Sequence, residues 1–141
     1  MSAESRRPQI IFDSKSGQPY VPFNDRELGV PVLIQQGPFD CVHTCLEMLG
    51  YPSASLPKRD KGLTPEDIDF LIKKDPQADG GCNGYLKLLL VKIGNRRHCV
   101  LNVEGKIVDP EAGVVEEEEY LNNASIWEIL DIPVRTCHRL R

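Results

Sequence analysis

The stretch Arg97–Gly113 reads RHCVLNVEGKIVDPEAG. Arg97–Val103 alternates like a half-buried strand, and Lys106–Asp109 is a short second one. Glu104-Gly105 between them suits a two-residue hairpin turn. Such a turn pairs Val103 with Lys106, and counting back sets Val100 opposite Asp109. Side chains alternate faces, so His98, Val100 and Asp109 then share one. His98 and Asp109 become diagonal neighbours with backbones about 7 Å apart, within reach of a side-chain hydrogen bond. A three-residue turn would send them to opposite faces.

Outward from the hairpin, the Leu- and Val-rich segment Tyr85–Ile93 is a further strand. Glu116–Leu121 reads as a helix, another turn is expected around Ile126–Leu130, and Pro133–Leu140 reads as a final strand. Upstream, a first helix is predicted over Cys41–Leu49, with Asp40 as its N-cap and Gly50 as its C-cap. Val42, Cys45, Leu46 and Leu49 make its apolar stripe. A second helix starts at Thr64-Pro65-Glu66-Asp67 and runs to about Lys74: threonine caps, proline takes the first position, and the acids suit the helix dipole. Asp79–Gly84 is a loop.

The first 30 residues hold turn formers (Ser14-Lys15-Ser16-Gly17, Pro19, Pro22) and short strands at Ile10–Phe12 and Val30–Ile34. They are expected to wrap a core built from residues 31–141. Helices followed by an antiparallel sheet give an α+β order. With 141 residues, one domain is expected over 1–141.

Composition narrows the function classes. Hydrophobic residues are 40% and charged residues 27%, with a net charge of −4 and a pI of about 5.4. That balance opposes a phosphate-backbone binder, so no nucleic-acid partner is expected. Arg135, Arg139 and Arg141 read as a solvated tail. The longest strongly apolar run, Leu88–Val91, is far short of a membrane span. The start, MSAESRRPQ, lacks the apolar stretch of a secretory signal, which gives a cytoplasmic expectation, delivery by another route aside. Five cysteines without a signal peptide are expected as free thiols.

Two of those thiols flank a histidine in Cys41-Val42-His43-Thr44-Cys45. A structural zinc needs four converging ligands, and His43 points away from both thiols on a helix. No second ligand pair of matching spacing exists, so no metal or cofactor is expected. Cys45, inside the apolar stripe, reads as a small buried hydrophobe. Cys41 lies in the first helical turn, where backbone N–H groups and the dipole favour an anion and lower a thiol pKa. Such a thiolate is a nucleophile in need of a base. His98, backed by Asp109, is the best placed of the three histidines; His138 reads as structural or exposed.

Gln35 followed six residues later by Cys41, the helix CVHTCLEMLGY, the segment GLTPEDIDFLI and the block RHCVLNVEGKIVDPEAG occur in that order. Together they resemble papain-like cysteine peptidases, in particular the group of bacteriocin-processing, double-glycine-leader peptidases. The resemblance spans about Val32 to Gly113. It implies a papain-like fold, with a helix carrying the cysteine packed on a sheet carrying the histidine and aspartate. It implies Cys41 as nucleophile, His98 as general base and acid, and Asp109 as orienter. Gln35, or Gln36 in a tighter loop, would donate its amide N–H to the oxyanion beside the Cys41 backbone N–H. The implied activity is hydrolysis of a peptide or isopeptide bond in a peptide or protein substrate.

The chain departs from the family at Val42, where glycine is usual. A larger side chain there would narrow the groove or mark a catalytically silent, partner-binding member. No transporter is fused to the chain, so the leader substrate does not carry over. A deamidase-type effector or toxin would use the same triad. Gly80-Gly81 reads as a turn, with a mobile cleft wall as the alternative. Trp127 and Tyr120 read as core or edge packing, and Glu116–Glu119 as a solvated helix face. Cys82 and Cys137 have no evident partner.

Overall fold

A computed structural model describes residues 9–52, 63–75, 84–136 and 138–140. The Gly80-Gly81 dipeptide, Cys82, Cys137 and Arg141 lie outside the described residues. The chain is α+β with two antiparallel sheets. Strands β1 (Ile11–Phe12), β2 (Pro19–Phe23) and β3 (Leu28–Pro31) come first. Helices α1 (Cys41–Met48) and α2 (Pro65–Lys74) follow. Then come β4 (Tyr85–Ile93), β5 (Arg96–Val103), β6 (Lys106–Asp109), β7 (Gly113–Glu116), the one-turn helix α3 (Glu117–Tyr120), β8 (Ser125–Pro133) and β9 (His138–Arg139). One sheet has the order β1-β2-β3-β9, the other β7-β6-β5-β4-β8.

The hairpin at the chain's centre has the expected register: Val103 pairs with Lys106, Asn102 with Ile107 and Leu101 with Val108. Glu104 and Gly105 both take positive φ, 52° and 94°. That is the geometry whose twist matches a two-residue hairpin. The Gly105 N–H donates to the Asn102 side chain at 2.9 Å, which ties the turn to the strand. The alternation sorts β5 and β6 into two apolar faces. Cys99, Leu101, Val103 and Val108 join the main core with α1, while Val100 and Ile107 join Leu89 and Val91 on the other side.

Helix α1 lays Val42, Cys45, Leu46 and Leu49 into that main core. Asp40 occupies the N-cap position but makes no side-chain cap. Its φ and ψ of −97° and 11° are not the extended conformation from which a carboxylate reaches the second or third helical N–H. The Leu49 carbonyl receives the N–H groups of Arg135 and Thr136, so the C-terminal segment docks on the end of the helix. In α2 Thr64 caps the helix as expected, and the cap extends to a capping box. Thr64 accepts from the Asp67 N–H, the Asp67 side chain accepts from the Thr64 N–H, and Pro65 takes the first turn.

Five expectations are corrected. Strands precede the helices, because Pro19–Phe23 is a strand rather than a turn region. Pro22 pairs with Gly29 beyond the end of the two-residue β1, where one flank of β2 is open and a missing N–H is tolerated. The Val30–Ile34 strand begins earlier and ends at Pro31. Ile126–Leu130 lies within a nine-residue strand, not a helical turn. Ile126, Trp127, Ile129 and Leu130 mimic a helical stripe, but β4 offers a full-length apolar edge that β8 completes, with an irregularity between Leu90 and Val91. The final strand shrinks to His138–Arg139 and pairs with β3. Arg135, expected in a solvated tail, is mostly buried against Asp75 at 2.5 Å.

The docking of the C-terminal segment rests on Gly50. Its φ is 99°, and a Cβ placed there would stand 2.4 Å from the Thr136 side chain. Replacing Gly50 with alanine should cost about 2–4 kcal/mol, from a left-handed conformation plus an overlap that backbone must move to relieve. Chemical denaturation of Gly50→Ala checks this; an unchanged midpoint would mean the segment does not pack as described.

Candidate active site

Three elements bring Cys41, His98 and Asp109 to one place. The two-residue turn sets His98 and Asp109 on one face, and the strands bury both, at 4% and 5% exposure. His98 Nε2 and Asp109 Oδ1 are 2.7 Å apart. A carboxylate only accepts, so Nε2 carries the hydrogen and Nδ1 is the ring atom not used by the aspartate. The Glu111 N–H donates to the same Oδ1 at 2.8 Å. These two bonds outweigh the burial that would raise the Asp109 pKa, and the net shift is downward. For His98, burial alone would lower the pKa. The bond to Asp109 and the interaction with Cys41 reverse this and lift it to about 9.

Cys41 opens α1 and is half-buried. It interacts with the His98 ring, which favours the thiolate. It also meets Cys99, the residue after the histidine. The net direction corrects the expectation of a lowered thiol: the contact with Cys99 and then burial push the Cys41 pKa up, above its ordinary value. A neighbouring sulfur that bonds the protonated thiol, in a partly dry site, outweighs the dipole of an eight-residue helix.

Cys99 is a thiol neighbour of Cys41 that the sequence pattern did not single out. Its sulfur lies 3.9 Å from that of Cys45 on α1. Cys41, Cys99 and Cys45 thus form a short row of free thiols. The signal was present: Cys99 follows His98 directly, so whatever brings α1 to the histidine also brings it to that thiol.

Gln35 is half-buried and Gln36 is exposed. The Gln35 N–H donates to the Pro110 carbonyl at 2.7 Å, which anchors the loop before α1 to the residue after Asp109. Its side-chain Nε2 donates to the Gly37 carbonyl, also at 2.7 Å, and its Oε1 is buried without a partner. Val42 is 5% exposed and points into the main core. It does not narrow a groove beside the thiol. Tyr120 covers the Asp109 side of the sheet, and its hydroxyl is buried with no partner. Burial and then the Asp109 charge push its pKa up. The His138 ring meets that of Tyr20 in a tilted contact, with centroids 5.4 Å apart. Trp127 lies on the edge strand β8 with the Arg97 guanidinium 5.2 Å from its ring.

His98, Asp109 and Glu111 offer three donor atoms within 4.8 Å. Two ligands of one tetrahedral ion stand about 3.4 Å apart at ordinary bond lengths. The 2.7 Å between Nε2 and Oδ1 is instead the length of a shared proton, and Arg96 holds Glu111 at 2.8 Å. The cluster is hydrogen-bonded rather than built for a metal. Two concavities of about 470 and 440 Å³ lie near the hairpin tip, lined by Gly105 and Glu117 among others, and neither is lined by Cys41 or His98.

No family model, curated protein or solved structure matches this chain. The chemistry therefore rests on the geometry of these residues. Among the described residues, no helix is long and apolar enough to cross a membrane.

The His98–Asp109 pair makes stability depend on pH in two directions. His98 binds its proton more tightly when folded, so its contribution is full below about pH 6.5 and is lost as pH rises through about 9. Asp109 is more acidic when folded, so its contribution is full above about pH 4 and is lost in acid. Denaturation midpoints should peak between these limits and fall by a stability of the order of 1–3 kcal/mol between pH 6.5 and 9. Asp109→Asn should flatten that alkaline fall; an equally steep fall in the variant would place its cause elsewhere.

Proposed function

We propose that this chain is a papain-like thiol hydrolase acting on peptide or isopeptide bonds. One observation carries the reading: the buried 2.7 Å pair of His98 and Asp109, interacting with a thiol at the first residue of a core helix. Cys41 is the nucleophile, His98 the general base and then acid, and Asp109 the orienting carboxylate. In the forward step, the Cys41 proton passes to Nδ1 of His98 and the sulfur adds to the scissile carbonyl. The oxyanion takes the Cys41 backbone N–H and the Gln35 amide as donors, the latter after leaving the Gly37 carbonyl. Collapse releases the amine with the proton from His98 and leaves a thioester. Water, deprotonated by His98, then releases the acid. A side-chain amide as substrate would make the same sequence a deamidation.

The electrostatics set the pH at which this sequence runs. A ring that holds its proton up to about pH 9 cannot accept one from a neutral thiol at pH 7. Turnover should therefore rise with pH through about 9, as the Cys41–His98 pair loses its first proton.

A second reading is a silent member that binds a peptide or partner through the same face. The upward shift of the Cys41 thiol favours it; the core-facing Val42 does not add to it. Peptide and isopeptide libraries, assayed from pH 7 to 10 with wild type, Cys41→Ala and His98→Ala, separate the two. The hydrolase reading expects loss of at least about a hundredfold in both variants. Wild-type-like turnover in either variant ends it, and no turnover at any pH with retained peptide binding gives the site to the silent reading.

A further inference from the structure

The His98 ring has a second carboxylate behind it. Glu111 follows β6 by two residues, and one of its oxygens stands 3.5 Å from His98 Nε2, the atom that Asp109 engages at 2.7 Å. Its other oxygen is held by Arg96 at 2.8 Å. Its backbone N–H donates to Asp109 Oδ1. Glu111 thus reaches the His–Asp pair twice, once through its peptide and once through its charge. Arg96 lies two residues before His98 on β5, so the side chains of both point to the same face. The Arg96 side chain is 53% exposed and that of Glu111 33%, while that of His98 is 2%. The ion pair is thus more solvated than the ring, on the Nε2 side that Asp109 occupies.

We propose that Glu111 is a positioning residue of the site: with Arg96 it forms an electrostatic clamp that sets how firmly the His98 ring keeps its proton. The proposal rests on the hydrolase reading for its consequence to activity, but not for its measurement. Asp109 alone suffices to orient the ring. What Glu111 adds is a second negative charge near Nε2, partly balanced by the Arg96 guanidinium. Of the other groups near the ring, Cys41 comes from α1 and β4 opposes it with the apolar Val91, while Cys99, next along the strand, points to the opposite face. Tyr120, from α3, faces the aspartate rather than the ring and is uncharged. No group in that set except Asp109 and the Arg96–Glu111 pair carries charge at neutral pH.

The sign follows from the charges. Removing a negative charge beside an imidazolium makes its proton easier to lose; removing a positive charge makes it harder. Glu111→Gln keeps the side-chain shape and the backbone N–H to Asp109, so it changes the charge alone. Its His98 midpoint should fall by about 0.5–1 pH unit, a modest shift because the carboxylate is partly solvated. Arg96→Gln leaves Glu111 unbalanced and should raise the midpoint. In the double variant, most of the Arg96 effect should vanish, since its influence passes through Glu111.

The experiment is a ¹H–¹⁵N titration of the His98 ring in the full chain, wild type and three variants, without substrate. The proposal expects opposite shifts in the two single variants and a non-additive double. An unmoved midpoint in Glu111→Gln, or shifts of the same sign in both single variants, overturns it. Because the readout needs no turnover, an inactive wild type would end the hydrolase reading and leave this result standing. Where turnover is measured, its rise with pH should move in step with the ring midpoint, to lower pH in Glu111→Gln.

Discussion

The hydrogen bond between His98 and Asp109 exists because two residues at the hairpin tip, Glu104 and Gly105, both take positive φ. One residue more or less in that turn would exchange the faces of β6. Asp109 would then enter the main core beside Cys99 and Leu101, and Ile107 would follow it across. The apolar pattern of both strands opposes that slip, since Ile107 and Val108 are each fully buried on their own side. Turn chemistry and core packing thus select the same register, and the pair at the site is a by-product of that agreement.

Much of this was readable from local chemistry. The turn, the register of β5 and β6, the threonine cap of α2 and the apolar stripe of α1 are decided by neighbouring residues, and the structure keeps them. What was not readable depends on partners distant in the chain. The segment Ser125–Pro133 has a mixed pattern, and only the open edge of β4 makes it a strand. Pro22 looked like a break until β1 proved too short to reach it. At the site, His98 and Asp109 followed from counting. Cys99 as a thiol neighbour, Glu111 as a second carboxylate and the anchoring of Gln35 on Pro110 did not, because each depends on how α1 and its leading loop meet the sheet.

The thiol shows how a local rule is overridden. A helix start favours an anion, but only where the sulfur is solvated or has donors aimed at it. Cys41 has neither in full. Asp40 leaves the cap unmade, and the nearest sulfur belongs to Cys99. The ring beside it is shifted toward its cationic form chiefly by the Asp109 carboxylate. Burial and these contacts favour a neutral thiol beside a protonated ring. In the proposed hydrolase, stability and activity would draw on the same proton, which strengthens the fold while it stays on the ring and would have to leave before the sulfur is activated. On that proposal, an alkaline optimum and a fold most stable on the acid side of neutrality would be two consequences of one buried pair.

The central claim is that sulfur, ring and carboxylate act as one unit. Its most direct measurement is the ¹⁵N shift of each His98 ring nitrogen, followed while Cys41 is alkylated. The account predicts that the Nδ1 signal moves as the sulfur is modified, while Nε2 keeps the signature of a hydrogen bond to Asp109. A ring indifferent to the modified sulfur would contradict it.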